Sequence, residues 1–593
     1  MSPKEQKTSG LNTMFKTAVK MHNDGDLDGA GKLYQLILEA FPEHANTLHL
    51  MGLVCREKGA LGEARSLIQR AIGLENNVPV FYVSLGETLQ SEGKTQEAMN
   101  CYQKALELAP NMIEALCSLG NLLRERGDCR QAVICYQKAI RINPQVPQLF
   151  NNLGLAYQQQ DECDAAEACF KKAISMAPEL IEALNNLGNL YRDASFFELA
   201  LNQYQRALTL APHNTSVNYN IGLVYQSQQR EERSAHYFRK AVEYHPPIAD
   251  AYHNLGQFHQ DQNRPMEAIR YYEKAIMLDP HHFDAQLNRS LSLLSLGRFK
   301  EGWDAYEWRF KRDIWKRVYP HCLKGRRWDG RAFSGKTLLV HSEQGFGDTI
   351  WFARYLKQVK SLGGKVIFEV RSELFDLMKS VDGVDSLVSM SFESPPDIEY
   401  DWYIPLMSLA RVFETTLETI PVTVPYLYAS DDKRRDWVDR AKGPELKVGL
   451  VWAAKSTNAN NRSCPAERLL PLCNLKDVRL FGLQKGDDAV QADHLPTGFI
   501  NLGPDFQSFA DTAAVIDCLD LVISVDTSVA HLAGAMGKPV WVILPYAADW
   551  KWMMEQHDSP WYPTMRLFRQ QTPDNWESIV KIVVTELKRL TDR

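Results

Sequence analysis

A glycine returns every 34 residues through the first half of this chain, at Gly52, Gly86, Gly120, Gly154, Gly188, Gly222 and Gly256. A fixed period of this length restricts the fold more than composition can, because each unit must bury its apolar face on neighbours that resemble it. Other positions keep the same phase. Alanine recurs at Ala64, Ala98, Ala132, Ala166, Ala200 and Ala268, an aromatic at Tyr102, Tyr136, Phe170, Tyr204, Phe238 and Tyr272, and proline at Pro110, Pro144, Pro178, Pro212, Pro246 and Pro280. Ser234 replaces one alanine and Asn76 one proline. Small residues let the two helices of a unit approach, aromatics are expected to fill the space between units, and proline stops the second helix.

The period and residue types are those of the tetratricopeptide repeat. Extending the phase gives units beginning near Leu11, Ala45, Pro79, Ile113, Pro147, Ile181, Thr215 and Ala249, with a fading partial unit from Phe283. An α-helical solenoid over residues 11–316 is expected. Two positions before the repeat glycines stand Asn152, Asn186, Asn220 and Asn254, and the next step of the period lands on Asn288. A carboxamide carries donors and an acceptor together, so it can pair with a peptide backbone whatever that peptide's side chains. The spacing resembles the asparagine ladder of the superhelical repeats in the nucleocytoplasmic O-linked N-acetylglucosamine transferase, which holds an extended polypeptide. The other reading is that these asparagines satisfy helix backbone inside the array. Ser84 and Ser118 occupy the position in earlier units, where a purely structural need would also apply, and this favours a client-binding groove.

After Trp315 the phase is lost, and residues 317–335, "RVYPHCLKGRRWDGRAFSG", form a basic connector with Gly and Pro. Short apolar runs then alternate with helical segments: "TLLVH", "KVIFEV", "DWYIPL", "KVGLVW", "VRLFGLQ", "LDLVISV" and "PVWVIL". Continuous rather than alternating apolar strands indicate parallel sheets covered on both faces. An α/β pair of Rossmann-type halves is expected, at 336–428 and 429–593. In such sheets ligands lie beyond the carboxyl ends of the strands. The loops there are "SEQGFGD", "AAKSTNANNR", "KGDD", "DTSVAH" and "PYAADWKW", so polar and glycine-bearing residues collect at one rim.

Composition removes several function classes. The 67 Lys and Arg against 73 Asp and Glu leave −6 over 593 residues, without the bias that nucleic acid or a membrane surface requires. "MSPKEQKTSGLNTMFK" has no apolar signal core, and the most apolar later stretch, "AAVIDCLDLVISVDTSVAHLAGAM", carries three aspartates; a cytoplasmic protein without a membrane span is expected. The 11 cysteines show no CxxC pairs, and Cys117, Cys135 and Cys169 fall on helix-core positions, which fits reduced thiols rather than disulfides or zinc. Walker A, HExxH and Gly-x-Ser-x-Gly are absent, "EQGFGD" is not GxGxxG, and Cys464 has no histidine near it in sequence. No metal and no resident cofactor are expected.

The pair "EQGFGDTIWFARY" and "LVISVDTSVAHLAGAMGKPVWVILP" resembles the GT-B-fold glycosyltransferases related to the heptosyltransferases of lipopolysaccharide synthesis. Repeats followed by "WDG" and "GKTLLVHSEQGFGD", with "DSPWYPTMRLFRQ" near the end, resemble bacterial repeat-fused transferases, notably flagellin O-glycosyltransferases. Ala454 stands where such proteins commonly have glycine, followed by Lys455. The resemblance implies an inverting, metal-independent transferase in which Asp348 is the general base, on a loop with Glu343, Gln344, Gly345 and Gly347. It also implies that Asp526, Thr527, Ser528 and His531 contact the nucleotide-sugar co-substrate. Lys455, Arg462 and Lys485, at strand ends, are candidate phosphate partners or ordinary solvated charges. Asp348 could equally cap a helix beginning at Thr349, and His531 could be a buried histidine satisfied by its own contacts. The family implies flagellin as client and a nonulosonic acid such as pseudaminic acid, carried as its CMP-linked form. Two other readings stay open at this point: a non-enzymatic scaffold whose transferase-like half only binds, and a carbohydrate-modifying transferase that uses its repeats to oligomerise.

Overall fold

The computed structural model describes residues 3–312, 319, 321, 323, 325–454, 462–496 and 498–592. Lys455 lies outside them. The chain forms two compact units, Met1–Tyr244 and His245–Arg593.

The first unit is a run of helix pairs. After Pro3–Asn23 and Leu27–Ala40 the first helices of successive pairs begin at Ala45, Pro79, Ile113, Pro147, Ile181 and Thr215, where the phase puts them. The first helix starts at Pro3 rather than Leu11. From Gly86 onward each repeat glycine lies under the aromatic of its own pair: a Cβ on Gly86, Gly120, Gly154, Gly188 or Gly222 would stand 2.5–2.8 Å from a ring carbon of Tyr102, Tyr136, Phe170, Tyr204 or Phe238, while Gly52 lies under Ile68 at 2.7 Å. The aromatics therefore fill space within a pair as well as between pairs, and glycine is needed because no Cβ fits below the ring. The turn between the two helices of each pair uses a left-handed residue, glycine at Gly25, Gly59, Gly93 and Gly127, then Asp161, Ser195 and Gln229 with φ near +60°. Cys117, Cys135 and Cys169 are half-buried, unpaired thiols.

The ladder asparagines are partly engaged inside the array. Asn186 Nδ2 donates to Asn151 Oδ1 at 2.9 Å, Asn220 to Asn185 at 2.8 Å and Asn152 to Asn121 at 3.4 Å, while Arg192 reaches Asn220 Oδ1 at 3.1 Å. Asn152 and Asn186 are half-buried and Asn220 is buried. Each amide has a second N–H beyond the one used here.

The second unit opens with two more pairs, Ala249–Asp261 with Pro265–Leu278 and Phe283–Ser295 with the shortened Phe299–Tyr306. The last unit thus has a complete first helix and a second helix of 8 residues. Asn254 is half-buried and Asn288 Nδ2 lies 3.0 Å from His253 Nε2. Two sheets follow. The first holds β1 (Arg326–Arg327), β2 (Thr337–His341), β3 (Lys365–Val370), β4 (Ser386–Ser389) and β5 (Trp402–Pro405) in the order β1-β5-β2-β3-β4. The second holds β6 (Leu446–Val451), β7 (Val478–Gly482), β8 (Ile500–Asn501), β9 (Leu521–Ser524), β10 (Val540–Leu544) and β11 (Met565–Arg569) in the order β11-β10-β9-β6-β7-β8. Every named pairing is parallel. β2, β9 and β10 are buried along nearly their whole length, as strands covered on both faces must be. All seven apolar runs are strands.

Phe299, Trp303 and Tyr306 of the last pair belong to the same apolar core as Trp351, Phe352, Trp550 and Trp561 of the sheet region. Beyond Tyr306, the buried Arg309 guanidinium donates to Glu343 Oε2 at 3.0 Å and Oε1 at 2.8 Å and to Ser408 Oγ at 2.8 Å. Among the described residues no helix is long and apolar enough to cross a membrane.

Candidate active site

Three loops at the carboxyl ends of strands converge in the second unit. From β2, Ser342–Gly345 leads into the helix Phe346–Phe352; from β9, Val525–Thr527 leads into Ser528–Ala535; from β10, the chain runs through Asp549 into a short 3-10 turn, Trp550–Trp552. The first two helices touch at their first turns. A Cβ on Gly347 would stand 3.1 Å from His531 Cδ2 and 3.4 Å from Ser528 Cα, so any larger residue would press the two helices apart by a few tenths of an ångström. Between the halves lies a cavity of about 510 Å³, lined by Gly345, Gly347 and Asp348 from one side and by Arg462, Asp526 and Lys551 from the other.

The site is built around one ammonium. Lys551 Nζ lies 3.5 Å from Asp549 Oδ2, 3.8 Å from Asp526 Oδ1 and 4.0 Å from Asp348 Oδ1, with its side chain only 9% exposed. Burial disfavours its charge, but the three carboxylates outweigh that and hold it well above the usual lysine range. Asp526 also accepts from Arg462 Nη1 at 2.9 Å. Although burial alone would raise its pKa, Lys551 and Arg462 hold the Asp526 carboxyl below the ordinary aspartate range, which favours its ionised form.

Asp348 behaves differently. Burial raises its pKa; Asp549 and Asp526 push the same way, against Lys551 and the Gly345 N–H. A carboxyl held above its ordinary range takes up a proton more readily near neutrality. It does not cap a helix starting at Thr349: the helix begins at Phe346 with Gly345 as its cap, and Asp348, in the third position, accepts from Gly345 N at 3.2 Å through Oδ2. Oδ1 faces Lys551.

His531 stacks between two indoles, Trp351 at 5.7 Å and 18° and Trp552 at 5.1 Å and 17°. Its Nδ1 lies 3.1 Å from the Tyr562 hydroxyl, and among the described residues its buried Nε2 has no hydrogen-bond partner. Burial, then the charge of Lys551, brings its pKa down to about 3, so the ring is neutral. An orphaned ring nitrogen on a cavity wall suits a ligand contact better than a self-satisfied core histidine. Thr527 stands at the N-cap without a side-chain cap bond, its hydroxyl lying 2.8 Å from Ser524 Oγ, so the first N–H groups of Ser528–Ala535 can meet an anion.

Other expected residues are placed elsewhere or with smaller parts. Glu343 faces away from the cavity, held by Arg309 and by Met407 N at 3.0 Å; a carboxylate with three such donors is a buried anchor and not a base. Gln344, at φ +62°, donates to the Tyr306 hydroxyl at 2.8 Å. Lys485 lines the cavity but gives its ammonium to Phe506 O at 2.7 Å. Among the described residues no cluster of three or more His, Cys, Asp or Glu could hold a metal ion. The residue that sequence reading missed is Lys551. Its signal was its place in "PYAADWKW" at a strand end, which a lone surface lysine would share. Gln484 was missed too; its Oε1 takes Ala453 N at 2.9 Å and shapes the loop after β6.

Comparison with known proteins agrees with this division. Residues 410–547 match "Glycosyltransferase family 9 (heptosyltransferase)". Residues 79–112, 120–161, 145–213, 185–251 and 249–282 match tetratricopeptide repeats. The chain is 29% identical over 332 residues to protein FlbA of Caulobacter vibrioides, covering 51% of this chain and 54% of that one. It thus spans about half the length of this curated relative. Among solved structures it is similar to a tetratricopeptide repeat protein from Parabacteroides merdae, at 18% identity and a TM-score of 0.38 over 42% of this chain and 99% of that one. It is also similar to MamA of Desulfovibrio magneticus, at 22% and 0.27 over 29% and 96%. The chain joins tetratricopeptide repeats to a segment of glycosyltransferase type.

Proposed function

We propose that this chain is a cytoplasmic protein O-glycosyltransferase, in which the repeats hold a client polypeptide and the two-sheet half moves a sugar from a nucleotide-sugar to a Ser or Thr hydroxyl. The observation that supports it most is the cavity in which Asp348, a carboxyl raised by burial, faces Lys551, Arg462 and a free helix N-terminus. In this reading Asp348 accepts the hydroxyl proton as the hydroxyl oxygen bonds to the anomeric carbon, and the bond from that carbon to the phosphate oxygen breaks on the opposite face. The configuration inverts. Negative charge grows on the departing phosphate, where Lys551, Arg462 and the first N–H groups of Ser528–Ala535 meet it, so protein groups supply the stabilisation that a metal gives elsewhere. His531 Nε2 is a further contact for the nucleotide. No resident cofactor enters.

The resemblance to repeat-fused transferases supports flagellin as the client and a nonulosonic acid such as pseudaminic acid, carried on CMP, as the donor. Asn152, Asn186, Asn220, Asn254 and Asn288 are the proposed client contacts, through amide N–H groups not used between repeats. The test is the intact mass of flagellin co-expressed with the parent chain, with Asp348→Asn, and alone. A mass increment that requires Asp348 supports the reading and its size identifies the sugar; no increment with the parent overturns flagellin as client.

A further inference from the structure

The segment that carries Lys551 is held from the repeat side. Trp550 packs edge-on against Trp303 at 5.4 Å and 82° and lies 6.1 Å from Tyr306. Phe299, one turn before Trp303, stacks on Trp561 at 5.8 Å and 23°, and Trp561 Nε1 donates to the Lys551 carbonyl at 2.8 Å. Met553 ends the turn at φ 58° and ψ −175°, a region that non-glycine residues occupy only where the surroundings over-determine it. Its methyl lies 3.3 Å from where a Cβ on Gly297 would stand. Trp552 stacks on His531 on the other side. Two helices of the last repeat therefore form one wall of a mould whose opposite wall is the cavity. None of Phe299, Trp303 or Gly297 lines the cavity.

We propose that Trp303 is a positioning residue of the transfer site, acting through Trp550 on Lys551, so that the last repeat is a working part of the donor site and not only its attachment to the array. This rests on the cavity being the donor site. Lys551 must hold its ammonium among three carboxylates and still reach a phosphate, and its main chain has few other fixed points: the Trp561 indole, the Asp549 carboxylate that accepts Lys551 N at 3.3 Å, and the ring of Trp550 beside it. Removing the Trp303 ring opens space behind Trp550, and a small displacement of a group that meets developing charge is costly.

The test is nucleotide binding to the full-length chain by calorimetry, with CMP and UDP as probes, in a cycle of Trp303→Leu and Lys551→Met. Trp303→Leu should weaken the nucleotide that the parent binds by about tenfold, and should add little once Lys551 is already methionine. Trp303→Phe, which keeps a ring in the site, should recover most of the affinity and replaces the leucine variant in the cycle if that variant loses its native circular dichroism. A parent that binds with unchanged affinity after either substitution, or losses that simply add, overturns the positioning role and leaves the donor site standing. A parent that binds neither nucleotide overturns the donor site itself, and this proposal with it.

Discussion

The helix pairs of the first unit and the pair at Phe283–Tyr306 are built on one period and solve different problems. In the first unit each pair meets near-copies of itself, so the same glycine, alanine and aromatic recur in place. The last pair meets a different fold, and its small residues trade places: Ser290 stands where the glycine would be and Gly302 where the alanine would be, with Leu294 over it at 2.6 Å from a would-be Cβ. Ser290 is buried, its hydroxyl donating to Leu287 O at 2.6 Å. Tyr306 keeps its phase but turns its hydroxyl to Gln344 of the β2 loop. A period is maintained by like neighbours and relaxes where the neighbour changes.

The sharpest way to separate the two regions is to remove one atom's chemistry. Asp348→Asn should reduce transfer by about 10²–10⁴-fold, measured as modified client per unit time, while client capture by the repeats is unchanged. Its stability should not fall at neutral pH. The native carboxyl binds its proton more tightly than the unfolded one, so native stability declines as pH rises between the two values, and the amide escapes that decline. For the same reason the acid limb of the transfer rate should lie above the ordinary aspartate range; a limb at that range in the parent would show that Asp348 is not the base.

The join comes next. Arg309→Met leaves Glu343 buried without its cation and should cost about 3–5 kcal/mol in urea unfolding of the second unit, with most of it restored by adding Glu343→Gln. An exposed pair such as Lys171 with Glu167 should move stability by less than about 0.5 kcal/mol. Equal effects would remove the contrast between a buried join and an ordinary repeat surface.

Smaller still is the groove. Asn186→Ala, Asn220→Ala and Asn254→Ala together should weaken client binding by about 1 kcal/mol per lost pair with helicity intact. Because Asn186 and Asn220 also bond across repeats, a fall in melting temperature as large as the fall in affinity would return them to a structural role. The smallest effect concerns the turns: Ser195→Gly, at φ +63°, should stabilise the first unit by about 1 kcal/mol, since only glycine enters that region without steric cost.

What was legible follows the same division. The pairs were readable to the residue from Ala45 onward because the register is written many times over. The sheets were readable as buried runs, but β1, β4 and β8 were not, being two to four residues long and largely partly exposed. Asp526 and His531 could be placed from one motif. Lys551 and the Arg309–Glu343 pair could not, because neither has a local signal that sets it apart from an ordinary surface charge: the meaning of each lies in what the fold sets beside it. Asp348 lines the cavity, and its place in the helix differs from the expected cap, since a glycine cap announces itself less clearly than an aspartate.

The roof that Trp303, Tyr306 and Arg309 give the sheet region has a consequence for how such a chain can vary in length. A whole 34-residue unit inserted among the pairs of the first unit would find matching faces on either side and merely lengthen the run of pairs. The same insertion after Ser295 would put a generic second helix where Trp303 meets Trp550, and the sheet region would lose its wall. The number of repeats before the last pair can therefore vary, while that pair itself is fixed by the sheets it covers.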